Sequence, residues 1–168
     1  MKFKINFFIP SIALIVIILI SVVFLLSNVK KNIPCHFTDV PWRNTMDKML
    51  EIEGNNYSTY PSVYNGTTYS YKKDYMNLNG TIKYMYDDQN NIKSMAWSYS
   101  APTLEDLENV YDSIETMVIS KYGESHYSPD VSSNQGAVWY LDGYNIILSA
   151  MMTDTQKAIQ FSYVLSEE

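Results

Sequence analysis

Cysteine occurs once in the chain, at Cys35, and histidine twice, at His36 and His126. One thiol cannot close an internal disulfide, and Cys35 with His36 offers two metal ligands where a structural zinc site takes four. The residues before Cys35 are Asn32, Ile33 and Pro34. They lack the small side chains that precede a lipid-attachment cysteine, so Cys35 reads as a spare thiol in a linker. Neither histidine neighbours a serine or acid pattern of a nucleophile site, and both read as solvated loop residues. Glycine is also sparse, and Gly80, Gly123, Gly136 and Gly143 fall at turns or element ends rather than in a phosphate-cradling loop. Asp87-Asp88 and the acids of 103–122 lack the regular loop of a calcium site. The expectation is a protein without catalytic, cofactor-binding or metal-binding residues, and not an enzyme.

Charge is missing altogether from Phe7 to Leu26. Twenty apolar-rich residues span roughly 30 Å as a helix, the thickness of a bilayer's hydrocarbon core. This segment is expected to be a transmembrane helix over 7–29, behind a short head of residues 1–6. A cleaved signal peptide is the competing reading, because Lys2 and Lys4 precede the run. Its apolar region is usually about 7 to 15 residues and ends at a small-residue cleavage site; this run is longer, and Val22 to Leu26 has no small pair. Basic residues are nearly balanced across the segment, with Lys30 and Lys31 beyond it. The short head favours an N-terminus inside and a C-terminal domain outside the cytoplasm.

Basic residues are scarce beyond that point. All 18 acids lie after residue 34, with eight of the 12 basic residues, which leaves this part near −10. Such a charge repels nucleic acid and excludes it as a partner. Tyrosine is abundant instead: all 15 lie in the same part, beside Trp42, Trp97 and Trp139. Aromatics favour strands and are also common at contact surfaces.

Residues 30–40 read as a linker and 41–168 as one extracytoplasmic α+β domain. Asn44 is placed to cap a short helix ended by Gly54. Tyr57 to Tyr75 reads as two edge strands around a turn, since Pro61 cannot donate to a ladder. Alternation over Ile82–Tyr86 and Met95–Tyr99 predicts a hairpin. Leu104, Leu107, Val110, Tyr111, Ile114, Met117, Val118 and Tyr122 recur at helical spacing, with Thr103 and Asp106 as capping box and Gly123 as stop. Asp142-Gly143 predicts a second hairpin, and Ile159, Phe161 and Tyr163 a last strand. The fold expected is an antiparallel sheet with two helices packed on one face. MLEIEG (49–54) and MVISKYG (117–123) each lead to strands at similar spacing, the pattern of a duplicated helix-plus-meander unit.

FTDVPW, a short helix ending in EG, a tyrosine-rich meander, a longer helix ending in KYG and a DG hairpin together resemble the beta-lactamase-inhibitor-like and SmpA/OmlA-like small envelope domains. The resemblance covers about residues 37 to 164. It implies helices on one side of an antiparallel sheet and action by binding proteins. Arg43 stands where many such sequences have glycine, and no functional residue is carried over.

The expected function is that of a membrane-anchored, non-catalytic protein-interaction module of the cell envelope, held in the lipid bilayer through Phe7 to Leu26. A sensor or binding domain for a small molecule or cell-wall glycan is the alternative. Tyr57, Tyr60, Tyr64, Tyr69, Tyr71 and Tyr75 are the expected protein-binding residues. Their neighbours are Ser, Thr, Asn and Lys, and rigid amphipathic side chains are favoured anchors at interfaces.

Overall fold

A computed structural model describes residues 35–126, 130–131 and 134–166. The expected membrane segment lies outside these residues, and no helix among them is long and apolar enough to cross a membrane. The chain divides into one unit up to Asn32 and a second from Ile33 onward.

The second unit is α+β. Helix α1 (Met46–Glu53) precedes strands β1 (Ser58–Pro61), β2 (Asn65–Tyr75), β3 (Leu78–Asp87) and β4 (Ile92–Ser100). Helix α2 (Leu104–Tyr122) precedes β5 (Asp130–Val131), β6 (Asn134–Leu141), β7 (Tyr144–Met152) and β8 (Lys157–Val164). The eight strands form one antiparallel sheet in the order β1-β2-β3-β4-β8-β7-β6-β5. Each helix is thus followed by a four-strand meander, and the last strands of the two meanders pair at the centre. There Met95 faces Tyr163, Trp97 faces Phe161 and Tyr99 faces Ile159.

Directly opposed residues share a face of the sheet. One continuous set runs across the strands as Tyr71, Ile82, Trp97, Phe161, Leu148 and Ala137, all buried. The helices cover this face: Met49 of α1 and Leu107, Tyr111, Ile114 and Val118 of α2 join the same core. The other face carries short or polar residues such as Ser94, Ala96, Ser98, Ser149 and Gln160.

Helix ends follow local chemistry. Thr103 accepts from the Asp106 backbone N–H at 3.0 Å, as the capping box predicts. At α1 the cap is Thr45 rather than Asn44, and Thr45 accepts from the Lys48 N–H at 3.3 Å. Asn44 is buried instead. Its Oδ1 accepts from the Tyr86 hydroxyl at 2.6 Å and its Nδ2 donates to the Pro41 carbonyl at 3.0 Å. The Nδ2 also donates toward the Met95 sulfur at 3.8 Å, so the amide uses two donors and an acceptor where a hydroxyl has a single donor. Arg43 adopts a φ of 64°, the left-handed region that glycine enters most easily.

The stretch expected to be a linker is core from Cys35 to Val40. Cys35, Phe37, Val40 and Trp42 are buried, and the Phe37 ring meets Phe161 edge-on at 5.3 Å. Cys35 is no spare thiol. Its Sγ lies 4.0 Å from the Met95 sulfur, and burial, only partly offset by Lys121 and the Trp42 backbone, pushes its pKa up to about 12. His36 is half-buried rather than solvated and hydrogen-bonds through Nδ1 to the Tyr163 hydroxyl. Desolvation, then the charge of Lys121, lowers its pKa.

Candidate tyrosine-rich edge

Strand β1 ends at Pro61, paired with Thr67, where its missing N–H removes nothing from the ladder. Ser62 returns the chain through a bond from its N–H to the Gly66 carbonyl at 2.9 Å, and Asn65 takes a φ of 66°. β2 then runs five residues beyond its pairing with β1, to Tyr75, and turns into β3 through Met76 and Asn77, both with positive φ.

The six tyrosines of this stretch divide. Tyr57 and Tyr60 are 39% and 42% exposed and stand at the sheet's edge with Val63 at 83%. Tyr64 is half-buried and lines a cleft of about 350 Å³ with Val63, Asn65, Asp87, Lys93 and Leu165. Tyr69, Tyr71 and Tyr75 point to the helix-covered face. Tyr71 is 4% exposed and donates to the Gly54 carbonyl at 3.1 Å and toward the Met49 sulfur at 3.3 Å. Tyr69 donates to the Met46 sulfur at 2.9 Å, and Tyr75 to the Met117 sulfur at 3.3 Å while its ring meets Trp97 edge-on at 5.2 Å. The polar neighbours that set these tyrosines apart from the core lie on the opposite face: Ser70, Lys72 and Asp74 alternate with them along one strand. Burial, followed by the charges of Glu53, Tyr57 and Tyr69, raises the Tyr71 pKa to about 12, and burial alone takes Tyr75 to about 12.

The chain between α1 and β1 bends over the inner side of β2, where Tyr57 meets Tyr69 at 5.2 Å and Tyr71 at 5.6 Å between ring centres. Beside it opens a groove of about 620 Å³, lined by Glu53, Asn56, Tyr57, Ser58, Ser70, Tyr71, Lys72 and Thr81. Beneath this region lies a charge network whose members are far apart in sequence. Glu53 Oε1 accepts from the hydroxyls of Tyr84 at 2.6 Å and Thr38 at 2.8 Å, and Lys73 Nζ holds both carboxylate oxygens at 3.0 Å. The Glu53 side chain is 7% exposed. Desolvation acts to raise its pKa, but the bonds from Tyr84, Lys73 and Thr38 and the Lys73 charge outweigh it and leave the carboxyl below its ordinary value. Through these bonds the carboxylate ties together α1, β2, β3 and the Cys35–Val40 segment.

The far edge of the sheet is closed differently. His126 donates its N–H to the Val138 carbonyl at 2.8 Å, and its Nδ1 accepts from the Tyr140 N–H at 3.2 Å. Together with β5 it occupies the outer groups of β6. Among the described residues no group of three or more His, Cys, Asp or Glu is placed to hold a metal ion. The chain matches no family model, no curated protein and no solved structure.

Proposed function

We propose that the chain is a membrane-anchored, non-catalytic protein-interaction module of the cell envelope, its folded domain held outside the cytoplasm by the apolar segment Phe7 to Leu26. The observation that carries this reading is the row of exposed side chains at one edge of the sheet: Tyr57, Tyr60 and Val63 stand in solvent although the core is otherwise rich in aromatics. Exposed aromatics backed by a rigid sheet are what hot spots are made of. Tyr64 joins them at the same edge, whereas Tyr69, Tyr71 and Tyr75 act in this reading as the support behind the surface. The acidic balance of the domain favours a protein partner over nucleic acid. The resemblance to beta-lactamase-inhibitor-like and SmpA/OmlA-like envelope domains points the same way, and the mirrored order of the two meanders supports an origin by internal duplication.

The test is capture from solubilised membranes with the full chain as bait. A protein that co-purifies with the native chain and is lost with Tyr57→Ser, Tyr60→Ser, Val63→Ser, while the melting temperature holds, supports the proposal. Equal capture by both sinks the edge assignment. The second reading, a binding domain for a small molecule or cell-wall glycan, draws on the polar groove with Tyr57 and Tyr71 in its wall. Calorimetric titration with soluble cell-wall fragments separates the two.

A further inference from the structure

We propose that the open edge of β2, from Tyr71 to Tyr75, accepts an extended segment of the protein partner as an added antiparallel strand. This rests on the interaction-module reading and names the surface and chemistry it uses. β1 pairs with β2 only through Ser70, while β3 pairs with it through Tyr75. Five residues of fully formed strand therefore have a neighbour on one side only among the described residues.

The direction of the free groups follows from the ladder. Gly66 turns its carbonyl toward Ser62 on the outer side. The register with β3 shifts between Asn65 and Thr68, but that with β1 is unbroken from Pro61–Thr67 to Ser58–Ser70, so the groups of Thr68 and Ser70 face outward as well and, by the same alternation, those of Lys72 and Asp74. Thr68 and Ser70 meet β1, and the backbone groups of Lys72 and Asp74 meet no strand on this side among the described residues. The 620 Å³ groove reaches the beginning of this stretch, lined on β2 by Ser70, Tyr71 and Lys72 and across from them by Tyr57 and Ser58. At the opposite edge the same exposure is removed by β5 and His126. Proteins generally blunt a strand edge in this way, and an edge left open is a template for pairing.

The charges say what fits. Lys72 and Asp74 are exposed, lie on the same face and take part in no ion pair among the described residues. Lys73, between them, is already held by Glu53 on the other face. An antiparallel strand matches this pattern when a basic residue faces Asp74 and an acidic residue two positions later faces Lys72. A second copy of the same edge is a poor fit. Setting Lys72 against Asp74 of the copy brings its Met76-Asn77 turn to Ser70, a place that β1 already holds.

The probe is a capped five-residue peptide with lysine second, glutamate fourth and threonine or valine elsewhere. It is titrated to millimolar concentration into the full chain in detergent micelles, with backbone amide resonances as the readout. Saturable shifts centred on Lys72 and Asp74, and binding weakened about fivefold when lysine and glutamate are exchanged in the peptide, are expected. Lys72→Pro removes one outward N–H without touching the β3 ladder and should abolish the shifts at an unchanged melting temperature. Lys72→Glu keeps the backbone intact and should restore binding to a peptide carrying lysine in place of glutamate. No saturable shift, or equal binding of both peptide orders, overturns the proposal, as does concentration-dependent dimerisation lost in Lys72→Pro. Any of these leaves the membrane capture experiment to judge the interaction reading separately.

Discussion

The indole of Trp97 lies across the backbone of Gly80, and its Nε1 donates to the carbonyl of Lys73 at 2.9 Å. Lys73 and Gly80 are directly opposed on β2 and β3, so the tryptophan of β4 reaches over one strand to bond the next. A Cβ at position 80 would fall 2.5 Å from Cε2 of that ring and 2.8 Å from the Ser98 carbonyl oxygen. Glycine here is a requirement of packing. Gly80→Ala should lower stability by about 1 to 3 kcal/mol, the range of an overfilled core. Urea unfolding of the full chain in detergent measures it, and an unchanged midpoint would show that the indole lies elsewhere.

A second expectation concerns Cys35, whose thiol is buried and whose pKa stands near 12. The thiolate is the reactive form, so alkylation should be negligible in the native state and complete in denaturant. Mass spectrometry after brief iodoacetamide treatment reads this directly. Rapid native labelling would return Cys35 to a linker and detach the segment to Val40 from the core.

Much of the fold was legible where the signal is local. Thr103 with Asp106, the 104–122 periodicity, Asp142-Gly143 and the alternation of β3 and β4 each depend on neighbours in sequence. Burial of Cys35 to Val40 was not legible, because those residues alternate with polar ones and fill a space defined only by distant strands. The tyrosines of β2 show the same limit. Ser70, Lys72 and Asp74 suggested an exposed stretch, yet in a strand they are the outer half of an alternation whose inner half is Tyr69, Tyr71, Lys73 and Tyr75. Met76-Asn77 carries no glycine to mark the turn, although both residues take positive φ. Of the six tyrosines, Tyr57 and Tyr60 keep the exposure that their polar neighbours suggest, because they precede or lie on the short edge strand.

The Glu53 network contributes to the loss of stability in acid. Its folded pKa lies below the ordinary 4.5, so the unfolded chain takes up a proton first as pH falls. The stabilisation is fully present above about pH 4.5 and is lost as pH drops through the lower, folded value. Glu53→Gln should lose about 1 to 3 kcal/mol at neutral pH, because its neutral amide replaces charge-assisted bonds. It should also show a shallower decline into acid. Chemical denaturation from neutral pH through the carboxylate range gives both curves, and parallel curves would remove Glu53 from the acid limb.

The last prediction separates two reasons for glycine in one molecule. Gly123 ends α2 with a φ of 82°, its N–H bonded to the Ile119 carbonyl at 2.8 Å and its own carbonyl accepting from the Trp139 indole at 2.9 Å. Nothing lies within 4 Å of a Cβ placed there. Gly123→Ala should therefore cost about 1 to 2 kcal/mol through backbone strain alone. Gly80 is the opposite case, where the obstacle is the Trp97 ring and the Ser98 carbonyl rather than φ. Trimming the ring should relieve it: in a Trp97→Phe background the cost of Gly80→Ala should shrink while that of Gly123→Ala stays the same. A double-mutant cycle by urea unfolding reports the difference as a coupling energy. Coupling at Gly123 as large as at Gly80 would mean that Trp97→Phe loosens the whole sheet. No coupling at Gly80 would mean that the Ser98 carbonyl, not the indole, is what demands glycine there.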